Sequence, residues 1–299
     1  MEYLKGSLPS LITPFNEDES IDEESLRNEI DFILDEGAHG ICVNALLGEG
    51  FKLTDEERKK VLEIAVDHVK GKGVRVVNGV QGNSARICIE LAEHSRKLGV
   101  EALMIPPPFY YKASRKNIFD FYKMISDAVD IPIMVQDAPP IVGVEIGLDM
   151  TVKMVNEIKN VKYLKIELSK PGPEVSIYTK ILKDKCPLIW GYAGAHYIEA
   201  YKRGCIGVIG TPEVPKVMYD VHNYLEAGDE KKAREIYDKY FQFFMYNIAN
   251  GFHSQAVSKK VLYWKGVIKS DKVREPAQPL DELHEEELKV ILRNAGEKI

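Results

Sequence analysis

Short apolar runs rich in β-branched residues alternate along the chain with stretches in which apolar residues recur at helical spacing. In the helical stretch after the second run, Thr54 and Glu57 form a capping box that marks a helix start. Runs without a polar face are typical of parallel strands covered by helices. Eight successive strand–helix units predict a closed (β/α)8 TIM barrel rather than an open doubly wound sheet. The eight runs occupy residues 10–15, 40–46, 74–80, 102–108, 132–139, 161–167, 187–192 and 205–212.

The alternation stops near Gly228, and the remaining sequence has helical periodicity throughout. Three amphipathic segments follow one another, with a proline-rich connector at 274–280 between the last two. We therefore predict a barrel over residues 1–228 and a three-helix region over residues 229–299 that packs on it. After the first run the chain lacks the G-x-G-x-x-G pattern that a dinucleotide-binding fold would require.

Composition excludes several classes of partner. The 40 basic and 46 acidic residues give a net charge of −6, which disfavours nucleic-acid binding. No signal-peptide core and no apolar run of membrane-spanning length is present, so we expect no membrane partner. The four cysteines are widely spaced and the histidines lack metal-ligand spacing. These features predict a cytoplasmic protein without a metal site.

Lys165 is the most informative single residue, because it interrupts an apolar run. A charged lysine is costly to bury in a strand unless it is paired or loses its proton. Alternation places Lys165 on the same face as Tyr163 and Glu167, and active sites of TIM barrels lie at the carboxyl ends of the strands. A neutral Lys165 there could attack a ketone. A structural ion pair between Lys165 and Glu167 explains the same spacing, and the residues alone leave both interpretations open.

Polar groups follow other apolar runs at positions that a barrel brings to the same mouth. The second run leads into a turn at Gly48, where backbone N–H groups could hold a carboxylate. The fifth run contains Gln136, the fourth leads to Tyr110, and the eighth places the Ile209 carbonyl at the pocket. Together these residues predict a small polar pocket around Lys165.

Other glycine-rich or charged segments support different interpretations. The loops at 191–196 and 207–212 follow the last two runs, where TIM barrels often bind phosphate, but they contain no Lys or Arg. A phosphate-binding barrel is therefore a weaker alternative. The basic cluster around Lys259, Lys260 and Lys265 is interpreted as a solvated helix face.

Four motifs in this order resemble the dihydrodipicolinate synthase/N-acetylneuraminate lyase family of class I Schiff-base lyases. The resemblance implies that Lys165 forms an imine with the C2 carbonyl of a small 2-oxo acid, without metal or cofactor. It also implies a homotetramer, a dimer of dimers, in which Tyr110 reaches into the neighbouring subunit's site. The motifs are LPSLITPF at the start, LLGEG-x-x-LT-x-EER after the second run, PPPFYY after the fourth, and the lone lysine on the sixth.

Three departures from the family pattern concern the substrate. The usual G-T-T-G-E is replaced by Ala-Leu-Leu-Gly-Glu, so the hydroxyls are gone, although the backbone of Leu46 and Leu47 beside Gly48 could still bind a carboxylate. The family's catalytic tyrosine is replaced by Gln136, which cannot transfer a proton near neutral pH. Ile141 stands where dihydrodipicolinate synthases carry an arginine.

A glutamine on the fifth strand with Lys-x-Glu on the sixth is similar to the 2-keto-3-deoxy-L-arabonate dehydratase branch of the family. On this interpretation Glu167, its pKa raised by partial burial, moves protons, and Gln136 holds the departing hydroxyl. We expect dehydration of a 2-keto-3-deoxy sugar acid. The alternatives are a pyruvate-dependent aldolase of sugar acids, dihydrodipicolinate synthase itself, and a non-catalytic paralogue that binds a 2-oxo acid.

Overall fold

The structure, a computed structural model, describes residues 4–167, 172–182, 185–249 and 254–299. Within these ranges eight strands pair in parallel in sequence order, and β1 pairs with β8. A bridge between Ser10 and Cys42 joins the segment after β1 to β2 and completes the circle of the predicted barrel. The strands are β1 Gly6–Ser7, β2 Gly40–Val43, β3 Arg75–Gly79, β4 Ala102–Ile105, β5 Ile133–Asp137, β6 Val161–Ile166, β7 Leu188–Trp190 and β8 Cys205–Val208.

Helices follow the strands and cover the outside of the barrel. The predicted capping box at Thr54 is present, because its side chain accepts from the Glu57 N–H while the Glu57 side chain accepts from the Thr54 N–H. The helices are α1 Glu23–Asp35, α2 Asp55–Val69, α3 Ala85–Leu98, α4 Arg115–Ala128, α5 Pro139–Val142, α6 Leu148–Glu157, α7 Pro173–Leu182, α8 Tyr197–Lys202, α9 Pro215–Glu226, α10 Glu230–Ala249, α11 Ser254–Trp264 and α12 Glu282–Ala295.

The first strand lies upstream of the predicted one, and this part of the prediction is wrong. The strand is Gly6–Ser7, whereas residues 10–15 continue beyond it as a buried connection. Leu11 and Phe15 are apolar because they pack under the helices, and Pro14 cannot donate to a strand ladder. Each of the other seven apolar runs contains an observed strand.

Two apolar layers show which way the side chains of the strands point. The larger one lies between strands and helices. The smaller one fills the barrel interior and includes Leu8, Cys42, Tyr163 and Ile209. Because side chains alternate along a strand, the inward position of Tyr163 also turns Lys165 inward. This confirms the face predicted for the lysine.

The described residues of the C-terminal region form three helices, as predicted. The expected boundary at 228/229 falls between the end of α9 and the start of α10. Helix α10 packs along α9, and the Tyr237 hydroxyl donates to the Gly194 carbonyl, at 2.9 Å, in the loop after β7. The region is therefore fixed to the barrel near the carboxyl ends of its strands. Among the described residues, no helix has both the length and the apolar character that crossing a bilayer requires.

Candidate active site

A cavity of about 480 Å³ opens at the carboxyl ends of the strands. In the part of the chain that the structure describes, Lys165 is the one cationic and Glu167 the one anionic side chain that line it. The predicted site residues that it brings together are Leu46, Leu47, Gln136, Lys165, Glu167 and Ile209. The cavity is thus apolar for the most part and carries a single pair of opposite charges.

Lys165, Glu167 and Gln136 form one hydrogen-bonded group. Residues Gln136 of β5 and Lys165 of β6 are opposite each other in the sheet register. Glu167 Oε2 accepts from both Lys165 Nζ and Gln136 Nε2, each at 2.9 Å. All three side chains are at least nine-tenths buried. The ion pair that the spacing left open therefore exists, and it lies on the cavity wall, where a ligand can reach the amine.

The environment of Glu167 differs from our expectation. Burial acts to raise the pKa of its carboxyl group, but the Lys165 ammonium, the Gln136 amide and the Tyr192 N–H together lower that pKa below its ordinary value. The prediction of a raised pKa was wrong, because it counted burial without the three donors. The three donors therefore hold Glu167 in its carboxylate form.

Gly191, at the end of β7, makes room for Glu167. A Cβ atom at this position would lie 2.4 Å from Glu167 Oε1. The neighbouring Tyr192 N–H donates to the same oxygen at 3.0 Å. The sequence showed only a glycine-containing turn after the seventh apolar run, so this role was missed.

The loop after β2 presents backbone donors to the cavity. The N–H groups of Leu46 and Leu47 donate to no other group within the described ranges. Gly48 lies behind them and does not line the cavity, since its carbonyl accepts from the Thr13 hydroxyl at 2.6 Å. A Cβ atom on Gly48 would lie 2.7 Å from the Leu11 carbonyl, so the tight turn requires glycine here. Gly48 therefore shapes the loop and makes no direct contact with the cavity.

Glu49 anchors this loop to the C-terminal region through a buried ion pair. Its Oε1 lies 2.6 Å from Lys259 Nζ of α11, and its Oε2 lies 3.0 Å from Lys52 Nζ. Glu49 and Lys259 are both fully buried. The interpretation of the basic cluster as a solvated helix face is therefore wrong, because Lys259 points inward and the Lys260 and Lys265 side chains are less than one-fifth exposed.

Tyr110 is not brought to the cavity. Its side chain is 86% exposed in the loop after β4, where its N–H donates to Asn83 Oδ1 at 2.9 Å. Ile141, by contrast, lines the cavity. It stands at the position where dihydrodipicolinate synthases carry an arginine. The site of a single chain therefore lacks both a phenol from Tyr110 and a second cation among its described residues.

Comparison with known proteins agrees with this geometry. The model of the dihydrodipicolinate synthetase family matches residues 3–295. The chain belongs to this family. A 4-hydroxy-tetrahydrodipicolinate synthase of Bartonella bacilliformis is 31% identical over 294 residues, which cover 98% of each chain.

Solved structures extend the same relationship. The dihydrodipicolinate synthase of Aquifex aeolicus superposes with a TM-score of 0.90 at 27% identity, covering 98% of both chains. That of Acinetobacter baumannii, solved in complex with pyruvate, has a TM-score of 0.90 at 25% identity and covers 98% of this chain and 99% of its own. The predicted family and barrel are confirmed, and the chain is a lyase of the dihydrodipicolinate synthetase family.

Several polar residues on the cavity wall were not predicted from the sequence. They come from distant elements, so no local pattern connects them. Gln81 and Gln255 each use the side-chain amide to support the loop after β2, through the carbonyls of Asn44 and Leu46. The missed residues are Ser10, Gln81, Thr211, Asn247 and Gln255. No group of three or more potential metal-binding side chains occurs among the described residues.

Proposed function

We propose that the chain is a lysine Schiff-base lyase that removes water from a 2-keto-3-deoxy sugar acid such as 2-keto-3-deoxy-L-arabonate. The observation that carries this proposal is the shared acceptor in the site. Glu167 Oε2 accepts from both Lys165 Nζ and Gln136 Nε2, so the proton-transferring group lies beside the amine, and no phenol among the described residues is hydrogen-bonded to it. Dehydration needs one group that takes a proton from C3 and returns it to a leaving hydroxyl.

The chemistry starts at Lys165. The Lys165 ammonium first gives up a proton, the neutral amine attacks the C2 carbonyl, and return of that proton with loss of one water leaves a protonated imine. The positive imine acidifies the C3–H bond, and the Glu167 carboxylate accepts that proton to give an enamine. Glu167 then donates the proton to the C4 hydroxyl, which leaves as water. Hydrolysis of the conjugated imine consumes one water, frees Lys165 and releases a 2-oxo acid that is one water lighter than the substrate.

The remaining predicted residues bind the substrate. The N–H groups of Leu46 and Leu47 donate to the carboxylate, and the Ile209 carbonyl borders the pocket. Support for a 2-oxo acid comes from the Acinetobacter baumannii relative, whose structure contains pyruvate. The reaction requires no cofactor, because the imine itself withdraws the electrons. We further propose a homotetramer, which would place the exposed Tyr110 against a neighbouring subunit.

The principal alternative is dihydrodipicolinate synthase or a related pyruvate-dependent aldolase. The names of the curated relatives favour the synthase. The cavity argues against it, because Gln136 cannot relay a proton as a phenol does and Ile141 offers no charge to a second carboxylate. An aldolase shares the imine but needs a base for the C4 hydroxyl. A 2-oxo-acid-binding paralogue without turnover would show binding alone.

Borohydride reduction followed by intact-mass measurement separates these functions. The protein is incubated with pyruvate or with a panel of 2-keto-3-deoxy sugar acids, and Lys165→Ala is the control. A trapped sugar acid minus water supports dehydration, whereas a pyruvyl remnant from a longer acid indicates aldol cleavage. Absence of any Lys165-dependent adduct would remove the Schiff-base proposal.

Glu167→Gln tests the proton transfer. We expect turnover to fall about 10²- to 10⁴-fold, because the amide keeps the shape but cannot accept the C3 proton. Adduct formation with borohydride should persist, since Lys165 is intact. The exposed Glu56→Gln is the matched control. Near-wild-type turnover of Glu167→Gln on every acid tested would refute the role of Glu167.

A further inference from the structure

Ser10 carries a buried hydroxyl group on the cavity wall. Its side chain is 5% exposed, and its Oγ makes no hydrogen bond with any group in the described ranges. A buried hydroxyl without a partner is unfavourable by the cost of its desolvation. Such a group therefore needs a partner of its own, and here the cavity is the space that it faces.

The barrel turns this hydroxyl toward the cavity that Lys165 also lines. Ser10 follows β1 at the same alternation as the interior Leu8, so its side chain points inward. Its N–H donates to the Gly210 carbonyl at 3.0 Å, and it is bridged to Cys42 of β2. Burial raises the pKa of the Cys42 thiol to about 12, and the nearby charge of Lys165 opposes this change. Ser10 thus belongs to the layer of interior residues that lies around Lys165.

A carboxylate held against the loop after β2 finds few donors on that loop. The loop after β2 offers the N–H groups of Leu46 and Leu47, and its side chains at 45–47 contain no hydroxyl. A carboxylate accepts about four hydrogen bonds. Ser10 and this loop lie side by side, since the bridge to Cys42 is three residues before Ala45. The two strand ends therefore face the same volume.

We propose that Ser10 Oγ donates a hydrogen bond to the carboxylate of the 2-oxo acid held on Lys165, and so supplies a hydroxyl that residues 45–47 lack. This inference rests on the proposed Schiff-base function. It makes Ser10 a binding residue for every 2-oxo acid, regardless of what extends beyond C3. A residue that recognised the hydroxyl groups beyond C3 would instead leave the binding of pyruvate unchanged, because pyruvate has no such groups.

The test measures the pyruvate concentration that gives half-maximal borohydride trapping. In Ser10→Ala this concentration should rise roughly 10- to 100-fold, the range for a hydrogen bond to a charged group. The same factor should apply to a trapped 2-keto-3-deoxy sugar acid. Thermal stability should be at least that of the wild type, because the substitution removes a buried hydroxyl that has no partner among the described residues. In Ser10→Cys, which has a similar volume and a weaker donor, the half-maximal pyruvate concentration should lie between the values of the wild type and Ser10→Ala.

Ser258→Ala is the matched control, since Ser258 is fully buried but does not line the cavity. Unchanged pyruvate trapping in folded Ser10→Ala or Ser10→Cys would overturn the inference. So would a loss confined to the longer acid, which would assign Ser10 to the distal hydroxyls. If the wild-type protein forms no adduct, the Schiff-base function fails first, and this outcome is distinct from failure of the Ser10 contact alone.

Discussion

Lys259→Met removes the cation that neutralises Glu49 beneath the loop after β2. The native side chains are both fully buried, with Lys259 Nζ 2.6 Å from Glu49 Oε1. Methionine keeps the unbranched apolar stem but removes the charge and the 2.7 Å hydrogen bond to the Lys272 carbonyl, so the change tests the polar contacts of the amine rather than packing. We expect a large loss of stability, because Glu49 remains buried with less compensation.

The size of the loss follows from the contacts that remain. Removing one partner of a buried pair typically costs about 3–5 kcal/mol. Glu49 keeps Lys52 Nζ at 3.0 Å and the Arg274 N–H at 3.2 Å, so the lower end, about 3 kcal/mol, applies. This is a substantial fraction of the roughly 5–15 kcal/mol that stabilises a folded protein. At roughly 2–4 °C per kcal/mol, the melting temperature should fall by about 6–12 °C.

Chemical denaturation measures this prediction, with two comparison variants. The neighbouring Lys260→Met removes a partly exposed charge on the same helix and should cost no more than about 1 kcal/mol. The double variant Glu49→Gln/Lys259→Met removes both charges and should be more stable than Lys259→Met alone. If Lys259→Met loses no more stability than Lys260→Met, the argument for a buried, uncompensated Glu49 is refuted.

The pH dependence tests the charge of Lys259 separately from the hydrogen bonds that its amine makes. Burial lowers the pKa of Lys259 from 10.5 to about 8, although Glu49 opposes the change. Between these values the unfolded chain binds more protons at this position than the folded one, so its contribution to stability rises with pH. The stability difference between wild type and Lys259→Met should therefore widen from about pH 8 to about pH 10.5. A difference that narrows over this range would contradict the lowered pKa.

Three further substitutions test how the site is shaped. Gly191→Ala would place a Cβ atom 2.4 Å from Glu167 Oε1, so steady-state turnover should fall by about tenfold or more while borohydride trapping persists. Gly48→Ala would place a Cβ atom 2.7 Å from the Leu11 carbonyl, and the half-saturating concentration of a 2-oxo acid should rise several-fold, by an estimated factor of roughly 3–10, as the loop shifts. Tyr110→Ala should change the free energy of unfolding by no more than about 0.5 kcal/mol, because the ring is exposed. It should nevertheless lower turnover of the assembled protein. Turnover equal to that of the wild type would contradict a role of Tyr110 at a neighbouring subunit's site.

Much of the candidate site could be predicted from the sequence because three of its residues lie on or next to neighbouring strands. Consecutive strands of a parallel barrel are adjacent, so Gln136 on β5 and Lys165 on β6 meet once each strand is recognised. Alternation then places Glu167 on the same face as Lys165. The barrel, the C-terminal helices and the charged pair follow from these local periodicities.

Tertiary structure alone decided the features that depend on distant segments. The pKa of Glu167 is lowered because the Tyr192 N–H and two side chains surround the carboxyl group. The Lys-x-Glu spacing does not show how many donors reach that group. Lys259 is buried because Glu49 meets it across the interface between barrel and C-terminal helices. Ser10 faces the cavity because the true first strand ends before it. Periodicity records which face of an element is apolar, whereas burial and electrostatic field depend on which other elements pack against that face.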